Sequence, residues 1–302
     1  MNVVVCGAGA VGSAHAARFH DLDPAGVAVL AGGERLARYR RDGITVNGRR
    51  HDFRLLPAGE AGPPADLVLV AVKQHHLDAA VADLRGHVGP RTILLSLLNG
   101  ISSEGILARA FGAEKVLPAF VLGTDAVREG QSIRYSSIGR IVFGAPSNDP
   151  SDPRVAAVRE LLGRAGIPHV VPSDILREQW WKFMLNVGVN QVSAVLRAPY
   201  GAFALPEVGD LARAAMREVV ALSGREGVAL GEEDVERCFP VLASLAPDGK
   251  TSMLQDVEAG RKTEVEIFAG TVVALGLEHG IPTPVNALLG RLLAALERMA
   301  AA

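Results

Sequence analysis

Two rhythms of hydrophobic positions divide this chain near residue 172. Up to about residue 170, short unbroken apolar runs recur: NVVVCG at 2–7, VAVLAG at 27–32, LVLVAV at 67–72, TILLSLL at 92–98 and KVLPAFVLG at 115–123. Runs of that length without polar alternation read as strands covered on both faces. Helical segments such as GSAHAARFH at 12–20 lie between them, so the order is βαβα and the sheet is expected to be parallel and doubly wound. SIRY at 132–135 and RIVFG at 140–144 stand only a few residues apart and read as an antiparallel pair extending that sheet. The turn-rich GAPSNDPSDP at 144–153 leads into the helical RVAAVRELLGRAG and a last short strand, PHVVPS at 168–173. Beyond it the pattern is helical throughout, over 174–197, 207–227, 232–244, 250–277 and 284–300, punctuated by Pro and Gly.

Composition narrows the classes. A chain of 302 residues with 49% hydrophobic residues can fill two cores. Lys and Arg number 31 against 33 Asp and Glu, interspersed, for a net charge of -2, which argues against nucleic acid as a partner. Cys6 and Cys238 are too few for a disulfide framework and have no metal-ligand spacing, which suits a reducing cytoplasm. MNVVVCGAGAVG has no basic leader and no apolar run approaches the ~20 residues of a membrane span. Neither export nor membrane insertion is expected.

Between the first strand and the first helix, GAGAVG sets Gly7, Gly9 and Gly12 at G-x-G-x-x-G spacing. Gly7 permits the tight turn, Gly9 lets the backbone approach a pyrophosphate, and Gly12 lets helix and strand pack closely, with the anion on the helix N-terminus. Gly7, Ala8, Gly9, Ala10, Val11 and Gly12 are therefore the expected dinucleotide cradle. The fold class is α/β: an N-terminal Rossmann-type doubly wound sheet over residues 1–172, then an all-α domain over 173–302. At the second strand's end, VLAGGERL offers no acid at the tip. That leaves space for a 2′-phosphate within reach of Arg35 or Arg38, whereas Glu34 would suit a free ribose; the reading favours NADP.

The stretch REQWWKFMLNVGVNQVSAVL, 177–196, is apolar nearly all round apart from Lys182, Asn186 and Asn190. Steps of four turn each residue only about 40° from the last, so the three form one line on a helix. An unpaired buried ammonium or amide costs roughly 1–3 kcal/mol or more, so the line must face a cleft, a partner helix or a ligand. A second block, TSMLQDVEAGRKTEVEIFAG at 251–270, carries Ser252, Asp256 and Glu264, with Glu258 and Glu266 expected toward solvent; read as one straight helix, it displaces Glu264 by about 80° from Asp256. Lysine with a nearby carboxylate makes an acid/base pair. His75 and His76, adjacent on a helix, should point apart, so no metal site is expected there, and Cys6 should be packing.

Together these stretches resemble the ketopantoate reductase (2-dehydropantoate 2-reductase) family nearly end to end: GAGAVG, VAVKQHHL at 70–77, the Asn-Gly at 99–100, WWKFMLNVGVNQVSAVLRAPYG at 180–201, the TSMLQDVEAGRKTE block, and HGIPTPVN at 279–286. The resemblance implies NADPH-dependent reduction of a branched 2-keto-4-hydroxy acid to (R)-pantoate, on the route to pantothenate and coenzyme A. By that resemblance Lys182 matches the general acid and Glu264 the acid that holds substrate and lysine beside the cofactor. Asn186, Asn190 and Ser252 match substrate positions, while Lys73 and Asn99 match positions at the cofactor and the cleft mouth. Family members commonly have Arg where this chain has Gly32, and Gln where it has Leu98. Two other functions share the pattern: a reductase of another 2-keto or 3-hydroxy acid, and a non-catalytic NADP(H) sensor, which would have no need of the polar line. The apolar helical half has room for a homodimer interface.

Overall fold

The computed structural model describes residues 1–301. Its contacts divide the chain into two compact units, Met1–Asn99 with Ser103–Ile175, and Gly100–Ser102 with Leu176–Ala302. The second unit thus starts three residues past the break expected from the hydrophobic pattern and takes in a short piece of the first half.

In the first unit, β1 (Val3–Cys6), α1 (Ala10–Leu22), β2 (Val27–Ala31), α2 (Gly33–Asp42), β3 (Ile44–Val46), β4 (Arg49–His51), β5 (Arg54–Pro57) and β6 (Leu67–Val70) come first. They are followed by α3 (Leu77–Leu84), β7 (Ile93–Ser96), α4 (Ser103–Phe111), β8 (Val116–Leu117) and β9 (Ala119–Leu122). A six-stranded sheet runs in the order β5-β2-β1-β6-β7-β8, with every pairing parallel. The unbroken apolar runs are explained by burial on both faces: Val3, Val5, Leu67 and Leu69 join one core with α1, while Val4, Cys6, Val68 and Val70 join another with α3 and α4. The chain order reverses beside β1, so β1 and β6 present their C-terminal ends at the topological switch point where such sheets bind ligands.

The rest of this unit departs from expectation. β10 (Val127–Glu129) and β11 (Ser132–Arg134) pair with each other, and β11 pairs with β3, giving a separate sheet β10-β11-β3-β4. β12 (Arg140–Phe143) pairs instead with β9 and with β13 (His169–Val170), which follows α5 (Pro153–Arg164). The segments at 132–135 and 140–144 are therefore not a hairpin and do not extend the large sheet. The run at 115–123 also breaks at Pro118, its two halves serving different sheets. Proline has no N–H for a ladder, so a register change there costs no hydrogen bond.

The second unit is helical: α6 (Ile175–Leu196), α7 (Pro206–Ser223), α8 (Glu232–Ala243), α9 (Ser252–Glu258), α10 (Ala269–His279) and α11 (Pro284–Ala301). α6 is central because its apolar residues point in most directions; Phe183, Met184, Val187 and Val192 are all buried. Gly188 allows the closest approach, since a Cβ there would sit 2.6 Å from Met216 and 2.9 Å from the Ala212 carbonyl of α7. Gln191, also on α6, donates to the Asn286 side chain at 2.9 Å. Asn286 in turn donates to Glu218, whose carboxylate accepts the Val285 and Asn286 amides at the start of α11. These bonds lock α6, α7 and α11 together and satisfy buried polar groups. No helix among the described residues is long and apolar enough to cross a membrane.

Candidate active site

The glycine turn is built against the end of β6. Gly7 has φ +105°, and a Cβ on it would lie 2.6 Å from the Ala71 carbonyl carbon. A Cβ on Gly12 would lie 1.9 Å from the Gly7 oxygen. Both positions are glycine because the protein leaves no room for anything else. Gly9 differs: it caps α1 with φ −73°, and its nearest contact for a Cβ is the Ala71 oxygen at 3.9 Å, an ordinary distance. The protein itself does not require Gly9, so the open space above it is what a close-approaching ligand would use. α1 has no side-chain cap and no acid in its first turn, leaving its N-terminus suited to an anion. Gly9→Ala is accordingly expected to leave the melting temperature unchanged while weakening binding of a nicotinamide dinucleotide by about tenfold or more, read by titration.

Beyond the turn a cavity of about 430 Å³ opens, lined among others by Gly7, Ala8, Gly32, Glu34, Arg35 and His76. Arg38, the other candidate, is not part of that lining. A Cβ on Gly32 would stand 2.8 Å from the Ala58 Cβ, so no side chain fits at the β2 tip. The positive charge comes instead from Arg35, whose Nη2 donates to His76 Nε2 at 3.4 Å. Burial, then the neighbouring His75 ring and Arg35, hold the His76 imidazole below its usual range, which keeps it the neutral acceptor that orients Arg35. Glu34 lies on the same rim.

In the second unit, Lys182 and Asn190 are buried, each 8% exposed, and Asn186 is half-buried. All three sit on the unbroken α6, which realises the polar line. Ser252 follows Thr251, whose hydroxyl ties the start of α9 to α6. Thr251 caps α9 by accepting from the Leu254 amide at 3.1 Å and donates to Ser193, one turn beyond Asn190, at 3.1 Å. Ser252, the next residue, is exposed at the first turn of α9.

The block at 250–277 is not one helix. α9 ends at Glu258, Gly260 takes φ +62°, and Glu264 stands just ahead of a 3₁₀ turn, Val265–Ile267, before α10 begins. The left-handed residue terminates the helix, so the 80° displacement from Asp256 does not hold. The loop is tied down by Glu297, which accepts from the Thr263 amide and hydroxyl at 2.7 and 2.6 Å, and Glu264 is half-buried on it. Asp256 is engaged by Arg261 at 2.7 Å, while Glu258 and Glu266 pair with Lys250 and Lys262 at the surface. Glu264 has its own contacts within the structure.

Other expected residues fall as follows. Lys73 is exposed just past β6, and Asn99, half-buried, closes the first segment of its unit. Leu98 is buried in the core beside α3 and α4, so its apolar side chain serves packing. His75 and His76 do not point apart: they lie on a 3₁₀ turn rather than an α-helix, with ring centroids 4.2 Å apart. Cys6 and Cys238 are buried, and burial pushes both thiols up to about 12, which leaves them protonated packing groups at neutral pH. Among the described residues, His20, Asp21 and His51 are grouped closely enough to meet at a cation, but Arg49 lies 2.7 Å from Asp21 and already balances its charge. Arg128 and Tyr39 also stand beside the glycine turn, with no local signal to place them there; the Arg128–Ala8 contact spans 120 residues.

Two family models match the chain, Ketopantoate reductase PanE/ApbA over residues 3–148 and Ketopantoate reductase PanE/ApbA C terminal over residues 174–297. The chain belongs to the ketopantoate reductase family. It is an oxidoreductase of that family, and a 2-dehydropantoate 2-reductase of Halobacterium salinarum is 31% identical to it over 304 residues, covering 99% of each chain. Among solved structures, a PanE/ApbA family ketopantoate reductase from Ralstonia eutropha superposes with a TM-score of 0.85 at 25% identity over the whole of both chains. D-mandelate dehydrogenase, solved with NADH and anilino(oxo)acetate, superposes with a TM-score of 0.89 at 20% identity, again over the whole of both chains, and so shares the fold.

Proposed function

We propose that this ketopantoate reductase family member reduces 2-dehydropantoate to (R)-pantoate with NADPH, Lys182 serving as the general acid. The observation that carries the reading is the buried ammonium of Lys182 at the head of the Asn186 and Asn190 line, in a chain whose other unit carries a complete glycine cradle. The residues of that cradle fit a dinucleotide: Gly7 and Gly12 shape the turn, Gly9 leaves the approach open, and the uncapped α1 faces the anion. When bound, the reduced nicotinamide supplies a hydride to the ketone carbon. Lys182 stabilises the negative charge that develops on the carbonyl oxygen, then donates an Nζ proton to it, giving the alcohol. Glu264 orders a substrate hydroxyl, while Asn186, Asn190 and Ser252 hold the substrate carboxylate and 4-hydroxyl. Lys73 and Asn99 serve the cofactor, Asn99 also meeting the substrate. A sensor would gain nothing from keeping an ammonium buried.

NADPH is favoured over NADH because Arg35, oriented by His76, is the cation on the cavity rim, and Gly32 leaves the β2 tip without an acid. Arg35→Gln is expected to raise KM for NADPH by about tenfold while changing that for NADH little, as loss of one charge-assisted bond dictates. Steady-state kinetics with both cofactors test it; an unchanged ratio of the two kcat/KM values would remove Arg35 from phosphate recognition. The fold alone does not choose the acid, since the mandelate enzyme shares it. Exposed Leu277, Leu288, Leu292 and Met299 on the last two helices give a homodimer an apolar surface to cover.

A further inference from the structure

Arg128 stands on β10, the edge strand of the small sheet, yet its guanidinium reaches the glycine turn. Nη1 donates to the Ala8 carbonyl oxygen and, at 3.2 Å, to the Tyr39 hydroxyl. Nη2 donates to Gln131 Oε1 at 2.6 Å and Nε to the Gly130 carbonyl at 2.8 Å, so all three nitrogens are held. The charge also lies 5.7 Å from the centre of the Tyr39 ring, and Tyr39 is itself buried and lines the cavity next to Ala8. The arginine is therefore locked in place from the strand side, with one hand on the cradle.

The peptide it grips is the one that matters. No peptide bond among the described residues is cis, so the Ala8–Gly9 unit is planar and trans, with the Gly9 N–H opposite the Ala8 oxygen. Fixing the oxygen toward Arg128 fixes the N–H away from it. We infer that Arg128 is a positioning residue for the dinucleotide: it sets the Ala8–Gly9 peptide so that the Gly9 N–H faces the pyrophosphate, and it adds a positive charge behind the turn. A flipped peptide would present a carbonyl oxygen to an anion; Gly9, free of a side chain, makes such a flip cheap unless something holds it. Gln131 and Gly130, from the turn between β10 and β11, supply the other end of the tether. This explains why a short edge strand reaches back to a loop 120 residues earlier.

The inference rests on the dinucleotide reading above, and its test separates the two. Binding of NADPH, of 2′-phospho-ADP-ribose and of 2′-AMP is titrated for the wild-type protein, Arg128→Gln and Arg128→Lys, with thermal melting of each. Absence of NADPH binding to the wild type overturns the dinucleotide reading itself. Given wild-type binding, Arg128→Gln is expected to weaken both pyrophosphate-bearing ligands by about tenfold while leaving 2′-AMP, which has no pyrophosphate, within about twofold, as loss of a charge-assisted bond predicts. Arg128→Lys, which keeps the charge but not the fork, should fall between. In turnover, KM for NADPH should rise more than kcat falls. Equal weakening of all three ligands, or none in a protein that melts normally, would show that Arg128 only fastens the sheet.

Discussion

Replacing Lys182 with methionine is expected to lower kcat about a thousandfold, the scale set by losing a proton donor that also stabilises an oxyanion. Methionine keeps most of the apolar stem, so α6 should pack as before, and NADPH affinity should stay within about twofold because the cradle residues belong to the other unit. Lys182→Arg discriminates between charge and proton transfer. A guanidinium retains the positive charge but does not give up a proton in this pH range, so turnover should stay low. Recovery of activity in the arginine variant would assign Lys182 an electrostatic role and leave the proton to another group. Single-turnover measurements at saturating NADPH, beside a melting curve, distinguish lost chemistry from lost structure.

Gly12→Ala should have the second largest effect, through the fold. The new methyl would lie 1.9 Å from the Gly7 oxygen and 3.1 Å from the Ala71 Cβ. Backbone atoms cannot give way as a flexible side chain can, so α1 must move off β1. The expected cost is on the order of 3 kcal/mol, at the upper end of overpacking penalties. Denaturant unfolding should show that loss and binding should fail with it, in contrast to Gly9→Ala, where binding weakens and stability is kept. A Gly12→Ala protein of wild-type stability would mean that the turn adopts another conformation.

Much of the first unit was legible because its signals are local. GAGAVG lies where a strand meets a helix, and the strands buried on both faces show as unbroken apolar runs. α6 was legible too, since a 22-residue helix with one polar line has few other readings. What escaped was non-local or overlooked. Asn47 and Gly48, both at positive φ, turn β3 into β4, an Asn-Gly hairpin signal that the short flanking runs obscured. Gly260 marked the end of α9, but the helical periodicity on either side hid the break and misplaced Glu264 relative to Asp256. The pairings of β11 with β3 and of β12 with β9 join segments far apart in sequence, and nothing local distinguishes them from a hairpin. Arg128 had no signal at all, because its partner is a backbone carbonyl.

The central claim is that this chain joins a dinucleotide cradle to a lysine that protonates a reduced keto acid. It is tested most directly by following NADPH oxidation, in the wild-type protein and Lys182→Met, with 2-dehydropantoate beside pyruvate, 2-ketoisovalerate and a 3-keto acid. The account predicts fast oxidation with 2-dehydropantoate alone, and its loss in the variant. Faster turnover of another acid would contradict the assigned substrate, and no turnover of any acid by a protein that binds NADPH would contradict the enzyme.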